Sequence, residues 1–273
     1  MPRPPVDFQL TTNQLLSNLT DLPPEAVSPL KHYRRAAADG WNLVEYFRRN
    51  VSRTNHYPTA LERHLNRLRG MVVAHLVGAF ERFLKELAAT CVSHLCDFTL
   101  DGRFDKYTLK GSVVIAHFAA GTVGDALCEA ETWLNCRTVN ERFRSLLADP
   151  FEEKGGTFWI FPQSQQPIAE QFRFPIMATI FQIRHTAVHN LGVVTKSDAA
   201  KLRQLTRSDI QSDGVFAPTF NDVRYLKRFL DDTAKSINDR VGDRLAELLA
   251  KLLDEGLLVF DAAEKKDDLA KIF

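Results

Sequence analysis

The chain has 273 residues, of which 45% are hydrophobic and 25% are charged, and its formal net charge is +1. This composition is typical of a globular protein with a sizeable core, and it excludes a disordered, collagen-like or disulfide-scaffold class. A net charge so close to zero provides no global attraction toward nucleic acid, so any contact with a polyanion has to come from local basic clusters.

Cysteine usage and the N-terminal sequence favour a reducing compartment. Four cysteines in a chain of this length do not suggest a disulfide framework. The opening, MPRPPVDFQLTTNQLL, lacks the continuous apolar segment of a secretory signal. No apolar run approaches the ~20 residues that cross a bilayer. We therefore expect a cytoplasmic protein that makes no membrane contact.

The first half of the chain is dominated by helical patterns. A Pro-rich opening is followed by a helical stretch from about Leu30 to Val51. The strongest pattern runs from Pro58 to Phe98, where apolar residues recur at spacings of three and four. It predicts one long helix, or two nearly collinear helices that are broken near Gly70 or Gly78.

Two shorter helices are predicted further along the chain. The segments TVGDALCEAETWL and TVNERFRSLL each begin with a Thr three residues before an acid, as in a capping box. Helices are therefore expected from about Val123 and Val139. The aromatic run FWIF, residues 158–161, is expected to form a short hairpin and to lie in the core or in a dimer interface.

The C-terminal third contains three further predicted helices. One extends from Pro175 to about Asn190, a short one covers SDAAKLRQL, and a long amphipathic one runs from Phe220 to Glu255, with Thr219 and Asp222 at its start. Since the remaining strand candidates are short, the predicted fold class is all-α.

The most common enzyme signatures are absent, and one cysteine group has only a superficial likeness to a metal site. No phosphate-binding loop, dinucleotide fingerprint, nucleophile elbow or HExxH sequence occurs. Cys91, His94 and Cys96 form C-x2-H-x-C inside the long helix, where they point in different directions and no second ligand pair follows. Buried reduced thiols are the better interpretation.

The segment FQIRHTAVHNLGVV, residues 181–194, carries the main candidate site. It places Arg184, His185, His189 and Asn190 in a run that is otherwise apolar or small. His185 and His189 share one helix face at H-x3-H spacing, which metals use, but no third ligand lies nearby in sequence. Only the fold could bring an acid close, so we expect neither a metal nor another cofactor.

Arg184 and His189 are the pair on which the chemistry is expected to depend. At ~100° per residue they lie ~140° apart around a helix, so they form no intrahelical bridge, although an arginine is long enough to reach toward the histidine. An imidazole that exchanges a proton near neutral pH and a guanidinium that neutralises phosphoryl oxygens suit phosphodiester cleavage without metal. Asn190 adds a neutral donor and acceptor at the helix end.

At these residues the sequence resembles a known family. RHTAVHN is similar to the R-x4-H signature of the HEPN-superfamily ribonucleases. The segment MVVAHLVGAFERFLKELAATCV resembles the first core helix of the RiboL-PSP type of HEPN domain, and HNLGVVTKSDAAKLRQL, followed by a long helix, is also similar to that branch. The likeness covers roughly Pro58 to Leu253.

The resemblance implies an antiparallel helical bundle whose homodimer brings two R-x4-H motifs together in a composite cleft. It also implies a metal-independent endoribonuclease that acts as a toxin or abortive-infection effector in bacterial defence. His189 would then be the general base or acid, Arg184 would stabilise the transition state, and Glu81 would orient one of them. His185 stands where the family often has Asn, which leaves open whether it shares in catalysis.

The domain division follows from the same resemblance. Residues 1–55 have no place in the minimal family domain and are expected to form an N-terminal helical extension, while residues 56–273 form the HEPN-like helical domain. The expected partners are RNA, a second copy of the chain, and a regulatory antitoxin or sensor protein. Basic clusters at residues 46–53, 62–69 and 224–228 could guide RNA, or could simply be solvated helix faces.

Two other functions fit the same residues. A HEPN-fold protein that no longer cleaves would serve as a nucleotide- or protein-binding module. A helical interaction protein would use the polar cluster as a buried network, in which case replacing His189 would lower stability rather than an activity.

Overall fold

The computed structural model describes residues 28–51, 59–96, 103–104, 124, 128, 133–152, 158–161, 173–257 and 262–273. This part of the chain is all-α, as predicted, and its only extended pairing is an isolated bridge between Val193 and Val215. Its helices are α1 (Pro29–Val51), α2 (Thr59–Leu95), α3 (Cys136–Leu146), α4 (Arg173–His189), α5 (Lys196–Thr206), α6 (Phe220–Asp254) and α7 (Ala262–Ile272).

Helices α1, α2 and α6 form the centre of the bundle. Tyr33 of α1 is 2% exposed and packs its ring against Phe80 and Phe83 of α2, with ring centroids 6.0 and 5.9 Å apart. Its hydroxyl donates to Asp231 Oδ1 of α6 at 3.0 Å, and burial together with that carboxylate raises the pKa of Tyr33. One side chain on α1 therefore contacts both of its neighbours.

Close helix contact in the middle of α1 involves a glycine. A Cβ added to Gly40 would lie 2.7 Å from Cδ2 of His75 on α2. The same imidazole contacts the carbonyl oxygen of Ala36 through Nε2 at 2.9 Å. The α1 helix therefore shares its core with α2, although it lies in the region expected to be an extension. The boundary at residue 55 stays a prediction.

The long helix α2 is continuous. Of the two alternatives for the Pro58–Phe98 pattern, the structure has a single helix that passes through Gly70 and Gly78 without a break. Apolar residues at spacings of three and four place its buried face against α1, α4 and α6. The predicted helices over α4, α5 and α6 are also confirmed to within two residues, whereas α7 was not predicted.

Two local predictions in the middle of the chain were wrong. Helix α3 begins at Cys136, because the side chain of Asn135 accepts hydrogen bonds from the N–H groups of Arg137 and Thr138, so Asn135 rather than Thr138 is the cap. Residues 158–161 form no hairpin, although Ile160 and Phe161 are buried as expected. The helix expected from about Val123 lies almost entirely outside the described residues.

Two buried polar side chains, those of Asn140 and Arg103, hold α3 to neighbouring segments of the chain. Asn140 is fully buried, and its amide donates to the carbonyl of Phe161 at 2.9 Å and accepts from the N–H of Phe161 at 2.8 Å. Arg103, also buried, donates to the carbonyl of Leu146 at 3.0 Å at the helix C-terminus, where a cation is favoured. Among the described helices, none is long and apolar enough to cross a membrane.

The Asn140 contact yields a stability prediction. Asn140→Ala leaves the N–H and the carbonyl of Phe161 buried without partners, which is expected to lower the free energy of unfolding by about 2–4 kcal/mol. Urea denaturation measures this change. The control is Asn50→Ala, which removes an exposed amide bonded to the Tyr46 carbonyl and is expected to cost less than about 0.5 kcal/mol. Equal losses in the two variants would contradict the role of Asn140.

Candidate functional site

Helix α4 presents one face to a cavity. Phe174, Ala178, Phe181, Gln182, His185 and His189 recur at helical spacing along this face. Met177 and Ile180 are buried in the core instead. Helix α4 therefore has two different sides. Its apolar side packs on α2, and its other side carries His185 and His189 at the cavity.

The cavity lies between α4, the first turn of α3 and the α5 helix, and its volume is about 620 Å³. From α3 and the segment before it come Leu134, Asn135, Cys136 and Arg137, while α5 contributes Leu205. Burial raises the pKa of the Cys136 thiol to about 12, so this wall residue is a neutral thiol rather than a nucleophile near pH 7.

Arg184, His185 and His189 all line this cavity, although Arg184 lies off the main cavity-facing stripe. The imidazole centroids of His185 and His189 are 4.7 Å apart. Arg184 Nε is buried and has no hydrogen-bond partner among the described residues. A buried donor of this kind is costly to leave unpaired. Three of the five sequence-predicted site residues are thus brought to one place.

Asn190 is not among the described residues that line the cavity, and its side chain makes a hydrogen bond to Asp198 instead. Its Nδ2 donates to Oδ2 of Asp198 at 2.7 Å, just beyond the end of α4. Gln182 of α4 donates to the other oxygen, Oδ1, at 2.8 Å. The last two turns of α4 are therefore joined to the start of α5 through one carboxylate.

That carboxylate also caps α5. Thr195 and Asp198 form a reciprocal capping box, in which the N–H and the hydroxyl of Thr195 both donate to Oδ2, at 3.3 and 2.9 Å. Burial by itself would raise the pKa of Asp198, which is only 2% exposed. Hydrogen bonds from Thr195 and Asn190 and the charge of His185 outweigh that effect and hold the pKa below its usual value.

Glu81 lies next to the cavity wall rather than in it. Its Oε1 is 3.5 Å from the N–H nitrogen of Trp133 and 3.7 Å from Nζ of Lys85. Within the described part of the chain it makes no hydrogen bond to Arg184 or His189. Its contact with the backbone of Trp133 connects Glu81 to the wall, because Trp133 immediately precedes the wall residues Leu134 to Arg137.

A second concave surface lies on the other side of α4 and is mostly apolar. It has a volume of about 1040 Å³ and includes Met71 of α2, Val188 and Leu191 at the end of α4, and Val215. Leu191 is 88% exposed and has a φ of 51°, a left-handed conformation that is uncommon for a leucine. Arg63, Asn66 and Arg67 also line the groove, but no histidine or acidic residue is among its described lining residues. The cavity with two imidazoles is therefore the better candidate for chemistry.

The cysteine group on α2 shows no metal-site geometry. Cys91 is buried, and burial raises its pKa, whereas Cys96 is exposed. Among the described residues, no group of three or more His, Cys, Asp or Glu side chains is placed to hold a metal ion. The expectation of buried thiols is therefore confirmed for Cys91 and wrong for Cys96.

In the basic clusters that could guide RNA, several cationic side chains form ion pairs with nearby acidic residues. Arg48 and Arg49 both pair with Glu45, at 2.8 Å each. Arg69 likewise pairs with Glu62 at 2.8 Å, and Lys227 pairs with Asp231 at 2.6 Å. These basic clusters consequently offer fewer free cations than their sequences suggest.

Sequence analysis did not identify three polar residues at the site. Asp198 could have been found, because the TKSD segment has the capping-box spacing at a helix start. Gln182 precedes the R-x4-H motif by two residues and carries no distinctive signal. Arg137 belongs to another helix, and only the tertiary structure brings it to the cavity.

No protein-family model matches the chain, and no match is found among curated proteins or solved structures. A function for the cavity has therefore to be argued from its own residues.

Two similar capping boxes allow a controlled test of Asp198. Thr219 and Asp222 cap α6 in the same way, but that pair is exposed and serves only its own helix. Asp222→Ala is expected to cost about 1 kcal/mol of unfolding free energy, the usual value of a cap. Asp198→Ala is expected to cost about 2–4 kcal/mol, since it also leaves Gln182 and Asn190 without their acceptor. Denaturant unfolding measures both.

The loss of unfolding free energy in Asp198→Ala is also expected to depend on pH. Because its pKa is lowered in the folded protein, its stabilisation is complete above its ordinary pKa and is lost as the pH falls through the lowered value. The difference between wild type and Asp198→Ala should therefore be full at pH 7 and shrink below about pH 4. A difference that stays constant down to pH 2 would show that the carboxylate charge is irrelevant.

Proposed function

We propose that this protein is a metal-independent endoribonuclease whose active site is the cavity lined by Arg184, His185 and His189. The observation that carries the proposal is that Arg184, His185 and His189 line one cavity, and that Nε of Arg184 is buried without a hydrogen-bond partner among the described residues. The resemblance of the R-x4-H segment to HEPN ribonucleases supports the same chemistry. RNA supplies the nucleophile, so no protein nucleophile is required.

In this mechanism His189 removes the proton from a ribose 2′-hydroxyl, and the 2′-oxygen attacks the adjacent phosphorus. The bond from phosphorus to the 5′-oxygen of the next nucleotide breaks, and that oxygen takes a proton from the neighbouring imidazole of His185. Arg184 neutralises the charge that develops on the non-bridging oxygens. The products are a 2′,3′-cyclic phosphate and a 5′-hydroxyl, and DNA resists because it has no 2′-hydroxyl.

The catalytic prediction concerns RNA cleavage in EDTA. Wild-type protein is expected to cut RNA, His189→Ala to be slower by about 10²–10⁴-fold, and Arg184→Ala by about 10²–10³-fold. His32→Ala and Arg35→Ala serve as matched controls, because both side chains lie on α1, are at least partly exposed and lie outside the cavity. Melting temperatures confirm that each variant is folded.

The results of this assay distinguish the ribonuclease from a binding module and from an interaction protein. Cleavage by the wild type and both controls, but not by the two site variants, supports the proposal. RNA that is bound but left intact by every protein would favour a catalytically silent binding module. A large fall in melting temperature for His189→Ala, with no cleavage by the wild type, would favour a structural polar network in an interaction protein.

The biological setting belongs to the same proposal and rests on the family resemblance. The enzyme acts in the cytoplasm as a toxin or abortive-infection effector, and an antitoxin or sensor protein restrains it, since a constitutively active ribonuclease would harm its host. A homodimer forms the composite cleft. Light scattering at micromolar concentration is expected to give twice the 31.0 kDa chain mass, and a monomer would remove the composite cleft.

A further inference from the structure

A second arginine, outside the R-x4-H motif, lines the proposed active site. Arg137 is the second residue of α3 and faces the same cavity as Arg184. It is exposed, and its side chain has no hydrogen bond or ion pair among the described residues. The positive end of the α3 dipole lies at the same wall and adds to the positive potential there.

The charge around the cavity is unbalanced in favour of an anion. No acidic residue is among the described residues that line it. The carboxylate of Asp198 is occupied by four donors from Gln182, Asn190 and Thr195, and that of Glu81 lies 3.7 Å from Nζ of Lys85. Two guanidiniums with planar sets of donors are therefore available to phosphate oxygens, to which they bind better than a lysine does.

The two arginines lie on different walls of the cavity. Arg184 lies on α4 beside the imidazoles, whereas Arg137 lies on the α3 wall of the cavity. A volume of about 620 Å³ is far larger than a single phosphate and falls within the usual range for sites that hold a small organic ligand. A nucleotide unit of single-stranded RNA, with a phosphate on each side, suits this space.

We propose that Arg137 binds the phosphate next to the scissile one, so that the cavity holds one nucleotide of a single strand between Arg137 and Arg184. This inference rests on the ribonuclease function proposed above. Arg137 contacts a phosphate whose charge does not change during the reaction, so it contributes equally to the ground state and the transition state. Its loss raises KM and leaves kcat nearly unchanged, while the loss of Arg184 lowers kcat.

The test measures binding of a fluorescent single-stranded 2′-O-methyl oligoribonucleotide of about ten nucleotides to the full chain. This probe carries the phosphates of RNA but lacks the attacking hydroxyl, so binding is measured without cleavage. Wild type is compared with Arg137→Ala, Arg137→Lys and Arg35→Ala over a series of salt concentrations. Arg35 is the matched control, an exposed arginine on α1 that also lacks an ion pair among the described residues.

Arg137→Ala is expected to weaken binding several-fold and to reduce the slope of log affinity against log salt by about 0.7, the value for one phosphate contact on a single strand. Arg137→Lys keeps most of the slope, since it keeps the charge, and Arg35→Ala matches wild type. On a cleavable ribonucleotide, Arg137→Ala raises KM with kcat within about twofold of wild type.

Three results would overturn the inference. They are an Arg137→Ala protein with wild-type affinity and slope, an equal loss in Arg35→Ala, and a wild-type protein that does not bind the probe. The proposed function fails on a different observation, namely intact RNA after incubation with wild type. A protein that binds the probe through Arg137 but leaves RNA uncut would retain the phosphate site and lose the catalytic assignment.

Discussion

The geometry of the cavity depends on one buried carboxylate. Asp198 accepts hydrogen bonds from Gln182 and Asn190, on and just after α4, and from the cap residue of α5, so the end of α4 is held at a fixed angle to the start of α5. His185 and His189 lie within this short interval. A rigid support of this kind is what proton-transfer groups need, since small displacements of such groups cost large factors in rate.

The charge distribution explains how a nearly neutral protein could act on RNA. The net charge of +1 gives no long-range attraction, and several surface arginines are paired with nearby glutamates, as Arg48 and Arg49 are with Glu45. Arg137 and Arg184 differ from them, because no carboxylate neutralises them within the described residues. The cavity therefore carries two guanidiniums that are open to an anion.

Local sequence patterns predicted most of the fold. Apolar spacing located α2 and α6, and the Thr219–Asp222 spacing located the start of α6. The start of α3 was misplaced because Thr138 has a capping-box pattern, yet Asn135 provides the cap. Arg184, His185 and His189 could be selected because they are neighbours in sequence. Arg137 could not, since its segment meets α4 only through tertiary packing, and the bond from Asn190 to Asp198 depends on the conformation of the turn between α4 and α5.

The central claim is that the ribose 2′-hydroxyl is the nucleophile, and the chemistry of the new RNA ends tests it most directly. An end-labelled oligoribonucleotide is incubated with wild-type protein in EDTA, and the product masses are determined. The account predicts a 2′,3′-cyclic phosphate on one fragment and a 5′-hydroxyl on the other, with no cut at a nucleotide made 2′-deoxy. A 5′-phosphate with a 3′-hydroxyl, or cleavage at the 2′-deoxy position, would contradict it.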